Sequence, residues 1–177
     1  LAAFVKEVPG NCMFLFPSYA FLSEVAARLP ELDREVIVQR RSTNVEDREE
    51  ILQRLRDSLR NSTLLLAVAG GVFSEGVDYP GRMLEAVAIV GPCLPGLTYE
   101  QQLLKEFYDE RFERGFEYAY VIPGMTRVIQ AAGRLIRSAE DRGVIALLDR
   151  RFLSELYSRH LPKAWLPEDG ARGLVGR

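Results

Sequence analysis

The 177 residues include two cysteines and one histidine, and only three of the 23 basic residues are lysine. Each scarcity removes a class of chemistry. Cys12 and Cys93 lie far apart in apolar segments, where a free thiol behaves as a small hydrophobe, so neither a disulfide nor a metal site is expected. A four-cysteine iron–sulfur cluster is impossible with two. His160 is the sole histidine, which rules out a histidine-based metal cluster. Near a helix end, a lone histidine reads as a surface or capping residue. None of Lys6, Lys105 and Lys163 follows a glycine, so no Walker-type GKT or GKS loop exists. The chain cannot by itself cradle and hydrolyse a nucleoside triphosphate in the usual way. The longest apolar stretch, residues 64–73, is about half of the roughly 18–20 residues needed to cross a bilayer, and Gly70 and Gly71 interrupt it. A soluble protein is expected. The first residue is Leu and no basic-then-apolar leader follows, which points to a piece of a longer reading frame. The net charge is −2, so any anion site must come from local clustering of cations.

What is present is the composition of an ordinary folded domain, 47% hydrophobic and 27% charged. The length suits one domain with its own core, expected over 1–162, with a loosely ordered tail over 163–177. Strand and helix signals alternate, the pattern of an α/β domain with a mostly parallel sheet. The apolar run at 12–16 reads as a strand buried on both faces, 63–69, 86–90 and 144–148 as further buried strands, and 35–39 as a shorter one. Ser18 caps a helix carrying Phe21, Leu22, Val25, Ala26 and Leu29 at helical spacing, stopped by Pro30. Asn44 and Asp47 open an acidic first turn, and Ile51, Leu52, Leu55 and Leu59 place 45–60 on a surface helix. Thr98 with Gln101 resembles a capping box for a charged helix reaching about Arg114. Helices are also expected over 126–138 and 152–160.

The helix at 126–138 has two unlike faces. Arg127, Gln130, Arg134 and Arg137 fall within an arc of about 80°, opposite Met125, Val128, Ile129, Ala132, Leu135 and Ile136. The apolar side is accounted for by packing on a sheet. Three guanidinium groups on one stripe repel one another, and no acidic residue within the helix relieves them. Two explanations stand: an anion such as phosphate, for which arginine is the bidentate partner, or carboxylates from another element, with Glu75 and Asp78 the candidates. Gly133, read as a mid-helix residue costing about 1 kcal/mol relative to Ala, favours a closely packed site. The second notable segment is GGVFSEGVDYPG at 70–81, directly after a strand, where open parallel sheets bind ligands. Ser74, Glu75 and Asp78 supply its polar groups, and a glycine-rich turn without a ligand is the plain alternative.

Taken together these segments resemble a known family. QAAGRLIR at 130–137 is similar to motif VI of superfamily 2 helicases, QxxGRxxR, and its continuation SAEDRGVIALLDRRF is similar to the XPD/DinG branch. GGVFSEGVDYPG resembles that branch's motif V, and FLFPSY at 14–19 its motif IV. FERGFEYAYVIPGMTRVIQAAGR at 112–134 is similar to the stretch leading into motif VI. The likeness runs from about Asn11 to Phe152. One departure is GPCLPGL at 91–97, where no aromatic residue stands between Pro92 and Pro95.

The resemblance implies a three-layer RecA-like domain, the second motor domain of an ATP-dependent 5′-to-3′ DNA helicase. ATP and Mg2+ would be shared with a first RecA-like domain of the same polypeptide, which bears the Walker motifs and, in XPD-type members, an iron–sulfur cluster. Carried over, Arg134 and Arg137 would contact the γ-phosphate, with Arg137 the better arginine finger, and Gln130 would lie near that phosphate or its attacking water. Gly76 and Asp78 would approach the nucleotide, the aspartate at the ribose. Ser18, Tyr19 and Ser74 would contact single-stranded DNA. The fragment alone would be inactive, and the parent protein would work in the cytoplasm, or the nucleus of a eukaryote. Two other readings remain: a stand-alone RecA-like module that binds nucleic acid or protein without ATPase activity, and a small-molecule α/β enzyme. The latter lacks any nucleophile–base pair.

Overall fold

The computed structural model describes residues 1–57, 62–74, 76–135 and 143–166. Its centre is a five-stranded, all-parallel sheet in the order β2-β3-β1-β4-β5. The strands are β1 Cys12–Phe16, β2 Glu35–Val38, β3 Thr63–Val68, β4 Ala86–Ile89 and β5 Val144–Leu147. Every residue of β1, β3 and β4 is buried, which explains their unbroken apolar runs: a central parallel strand is covered on both faces. The edge strand β2 has two exposed residues and is correspondingly less apolar.

Because side chains alternate along a strand, the sheet divides its residues between two cores. Phe14, Phe16, Leu64, Leu66, Ala86 and Ala88 face one side, where α1 (Ala2–Glu7) and α2 (Tyr19–Ala26) supply Val5 and Leu22. Met13, Leu15, Leu65, Ala67, Val87 and Ile89 face the other. There they meet Leu52 and Leu55 of α3 (Val45–Asp57) and Met125, Val128 and Ala131 of α5 (Ile122–Ala132). The result is helices, sheet, helices. Among the described residues no helix is long and apolar enough to cross a membrane.

Local signals set most boundaries. Ser18 Oγ accepts from Phe21 N at 3.2 Å, capping α2. Asn44 and Asp47 form a reciprocal box, each side chain accepting the other's backbone N–H at 2.8 and 3.0 Å. Thr98 Oγ1 accepts from Gln101 N at 3.2 Å at the start of α4 (Tyr99–Phe112). Gln101 does not complete a box, because its side-chain amide donates instead to the carbonyl of Ala119. Gly115 is required by close approach, since a Cβ there would sit 2.1 Å from the Lys105 carbonyl oxygen.

Several expectations are corrected. The helix expected over 126–138 starts earlier: a π-helical segment, Glu117–Val121, runs directly into α5 at Ile122. Pro123 has no N–H to donate to the Ala119 carbonyl four residues back, and the Gln101 side-chain amide takes that acceptor instead. α5 also ends earlier. Gly133 is its C-cap rather than an interior residue, and the next backbone bonds, Arg134 N to Ala131 O and Leu135 N to Ala132 O, tighten to i→i−3. The poor helix propensity of glycine accounts for the stop. Gly133 is exposed, and among the described residues only the carbonyls of Ile129 and Gln130 in its own preceding turn approach it. The helix expected over 152–160 is broken at Ser154 into a 3-10 turn, Arg150–Leu153, and the short α6, Glu155–Ser158. Asp149 begins that turn by accepting from Arg151 N at 2.8 Å. Lys163–Trp165 forms a 3-10 turn, and Trp165 and Leu166 pack on the core; the rest of the tail expected over 163–177 lies outside the described residues.

Candidate functional site

All five strands run in one direction, so residues following β1, β2, β3 and β4 gather at one edge of the sheet. Pro17, Ser18 and Tyr19 follow β1, Gln39, Arg40 and Arg41 follow β2, and the 70–81 loop leaves from β3. This loop does not stay at the edge. It returns over the α3/α5 face toward β4, and its second half alternates: Val77 and Tyr79 are buried in that core while Gly76, Asp78 and Pro80 are exposed. The two apolar side chains act as anchors, and the pleat turns Gly76 and Asp78 outward. Gly76 has φ +70°, a left-handed conformation that suits glycine. Tyr79 fastens the loop by donating from its hydroxyl to Phe73 O at 2.6 Å. Burial raises the pKa of that phenol, against the opposing pull of the positive charges of Arg134 and Arg48.

α5 begins against the loop after β4. A Cβ on Gly124 would lie 2.8 Å from a methyl of Leu94, so glycine allows the approach. Arg127 is exposed and donates to Cys93 O at 3.4 Å. Gln130 is exposed one turn on. Arg134, past the end of α5, is 31% exposed and has Nη1 3.5 Å from Asp78 Oδ1, whose side chain is 58% exposed. Of the candidates for relieving the arginine stripe, Asp78 is therefore a real partner. The other, Glu75, and Arg137 lie outside the described residues. An exposed pair at this length contributes at most about 1 kcal/mol, leaving the guanidinium readily transferred to a stronger anion. Guanidinium and amide donors suit phosphate oxygens, and a carboxylate suits ribose hydroxyls. Among the described residues no group of three or more His, Cys, Asp or Glu could hold a metal ion.

The first half of the loop has different neighbours. Ser74, 4% exposed, turns its hydroxyl inward to Gly71 O at 3.1 Å and Val68 O at 3.4 Å. Ser18 is exposed and Tyr19 half-buried. Tyr19 is held by two residues the sequence reading did not single out. Gln39 donates to its hydroxyl at 2.9 Å, and the Arg41 guanidinium sits 5.0 Å over its ring. The structure thus brings Asp78 and Arg134 together on one side of the loop and Tyr19, Gln39 and Gly71 on the other. The signal available in the sequence was the polar cluster QRR at 39–41 after an apolar strand.

His160 does not stand free as a surface residue. Its Nε2 lies 3.1 Å from Oε1 of buried Glu117 in the π-helical segment, and Arg159 pairs with the same carboxylate. This fastens the approach to α5. Cys12 and Cys93 are both free and buried, and burial pushes each thiol up to about 11.

Residues 1–168 match the family model described as helicase C-terminal domain. The chain is 27% identical over 179 residues to the general transcription and DNA repair factor IIH helicase subunit XPD/RAD3 of Saccharomyces cerevisiae, covering 95% of this chain and 22% of that protein. It is 29% identical over 154 residues to the ATP-dependent DNA helicase DinG of Photobacterium profundum, covering 84% and 22%. The chain thus spans about a fifth of these relatives. A solved structure of apo XPD superposes with a TM-score of 0.71 at 26% identity, over 89% of this chain and 32% of that one.

Proposed function

The chain belongs to the helicase C-terminal domain family in its XPD/DinG-type branch, and on that premise we propose that it is the second RecA-like motor domain of an ATP-dependent 5′-to-3′ DNA helicase. The nucleotide lies between this domain and the first RecA-like domain of the same polypeptide. Arg134 and Arg137 reach its γ-phosphate from this side, with Arg137 the arginine finger and Gln130 beside the phosphate or the attacking water. Gly76 and Asp78 approach the nucleotide, the aspartate at the ribose. Single-stranded DNA passes over Ser18 and Tyr19. Ser74, its hydroxyl turned inward, serves that surface through the shape of the loop backbone. ATP supplies the free energy. Mg2+ would be shared with the first domain, and an iron–sulfur cluster, where present, belongs to the first domain.

The observation that carries this reading is the meeting of Asp78, from the glycine-rich loop, with Arg134, from the turn after α5, at 3.5 Å in a chain that has no phosphate loop. A guanidinium held loosely by an exposed carboxylate is poised to change partners when phosphate arrives from the other domain. Opening and closing of that cleft, with alternating grip on the strand, becomes directional movement. The test is ATP hydrolysis by the full-length protein with single-stranded DNA. Arg137→Ala should lower turnover by about 10³-fold or more, and the domain alone should hydrolyse nothing. Near-normal turnover in Arg137→Ala removes that residue from the role.

A further inference from the structure

Gln39 has no place in the reading above, yet its side chain is among the most completely engaged in the domain. It is 2% exposed. Its Oε1 accepts from Val68 N, the last residue of β3, at 2.9 Å, and its Nε2 donates to the Tyr19 hydroxyl at 2.9 Å. The backbone N–H of Val68 can only donate, which fixes the oxygen toward β3 and the amino group toward Tyr19. Val68 is also where the glycine-rich loop is tied down, because its carbonyl accepts from Gly71 N at 2.9 Å and from Ser74 Oγ at 3.4 Å. A Cβ on Gly71 would lie 2.9 Å from both Val68 O and Gln39 Nε2, so the loop backbone rests directly on this amide. One side chain therefore joins three elements: the start of α2, the end of β2 and the start of the 70–81 loop.

We propose that Gln39 is a positioning residue that couples the nucleotide side of the motor domain to its DNA side. The inference rests on the reading that Tyr19 contacts single-stranded DNA and that Asp78 and Arg134 face the nucleotide. The loop that carries Asp78 is fastened at its other end to Val68, and Gln39 passes any shift there to the Tyr19 hydroxyl. Arg41, over the Tyr19 ring, limits the ring's freedom to escape that shift. A buried amide serves because it offers one acceptor and one donor at a fixed separation.

The experiment uses the full-length helicase and reads a ratio, the turnover of ATP with saturating oligo-dT divided by that without it. A loss of folded protein alters both rates and leaves their ratio alone. Gln39→Leu, which keeps the bulk and removes both bonds, should reduce the DNA stimulation by about fivefold or more, the scale of an ordinary coupling energy. Gln39→Asn, one methylene too short to reach both partners, serves the same purpose should the leucine variant fail to fold. Gln39→Glu should restore the stimulation, because a carboxylate accepts from Val68 N and from the Tyr19 hydroxyl turned donor. Wild-type stimulation in Gln39→Leu or Gln39→Asn, or loss in Gln39→Glu as deep as in leucine, overturns the proposal. Tyr19→Ala, titrated with fluorescent oligo-dT, separates the two levels. Undiminished affinity removes the DNA contact on which the coupling depends, whereas reduced affinity with an unaltered ratio in Gln39→Leu leaves the DNA contact standing and removes only the joint.

Discussion

Replacing Arg134 with alanine distinguishes a structural guanidinium from one that serves phosphate chemistry. Its ion pair with Asp78 is 3.5 Å long and joins side chains 31% and 58% exposed. Solvent screening limits such a pair to about 1 kcal/mol at most, and the packing of the arginine stem adds a fraction more. In a domain of this size, 1 kcal/mol is about 2–4 °C in Tm. A preorganised donor on the developing charge of a phosphoryl group is worth more. Its removal lowers turnover by about 10²-fold or more, equivalent to about 2.7 kcal/mol of transition-state stabilisation. The assay is therefore paired: steady-state ATP hydrolysis by the full-length helicase at saturating single-stranded DNA, and thermal unfolding followed by circular dichroism. The loss of kcat should exceed what the change in Tm explains. Arg134→Lys sharpens the comparison, because an ammonium can still pair with Asp78 but lacks the planar fork that spans two phosphate oxygens. It should spare Tm and still lose kcat. Turnover of Arg134→Ala within about threefold of wild type at saturating ATP would refute the assignment.

Two further outcomes test the scaffold. Asn11, 3% exposed, donates to Leu55 O at 2.8 Å and Met83 O at 3.0 Å and accepts from Thr63 N at 2.8 Å, joining α3, β3 and the approach to β4. At about 1 kcal/mol net per bond, Asn11→Ala should cost about 3 kcal/mol or more in urea unfolding, and a loss under about 1 kcal/mol would show that the bonds are not limiting. Cys12 and Cys93, with pKa values pushed up to about 11 by burial, are ionised at pH 8 to only about one part in 10³. A chromogenic disulfide reagent should label neither in the native protein and both in denaturant.

The strands were legible because β1, β3 and β4 are covered on both faces, which demands unbroken apolar runs of four to six residues. Caps were legible because Ser18, Asn44 with Asp47, and Thr98 act on residues three positions away. α1 was missed because six residues with one buried side chain produce no periodicity to detect. The π-helical Glu117–Val121 and the first turn of α5 were missed because they lie among Gly115, Pro123 and Gly124, poor helix formers that read as breaks. That also moved the true start of α5 forward, while the reading of Gly133 as interior moved its end back. In the site, the Asp78–Arg134 pair was one of two explanations left open for the arginine stripe. The polar cluster at 39–41 marked Gln39 but could not show what it binds. Its partners are 20 and 29 residues away, and no local pattern encodes a bond across three strands' ends.

The arrangement of the 70–81 loop argues for a moving part held at chosen points. Its start is bound to Val68 and rests on Gln39, its middle is closed by the Tyr79 hydroxyl on Phe73, and its outward-facing Asp78 meets Arg134. The first two fastenings are buried, where hydrogen bonds are costly to leave unmade. The third is exposed, long and weak. In the proposed reading, a new charge beside Arg134 would displace the outward half of the loop against its fixed start. On that reading the reverse order of strengths, with a buried Asp78–Arg134 pair and an exposed Gln39, would hold the arginine against nucleotide and uncouple the proposed DNA side. On the roles proposed for Arg134 and Tyr19, the gradient from strong to weak along twelve residues is what would turn phosphate binding at the one into a change of grip at the other.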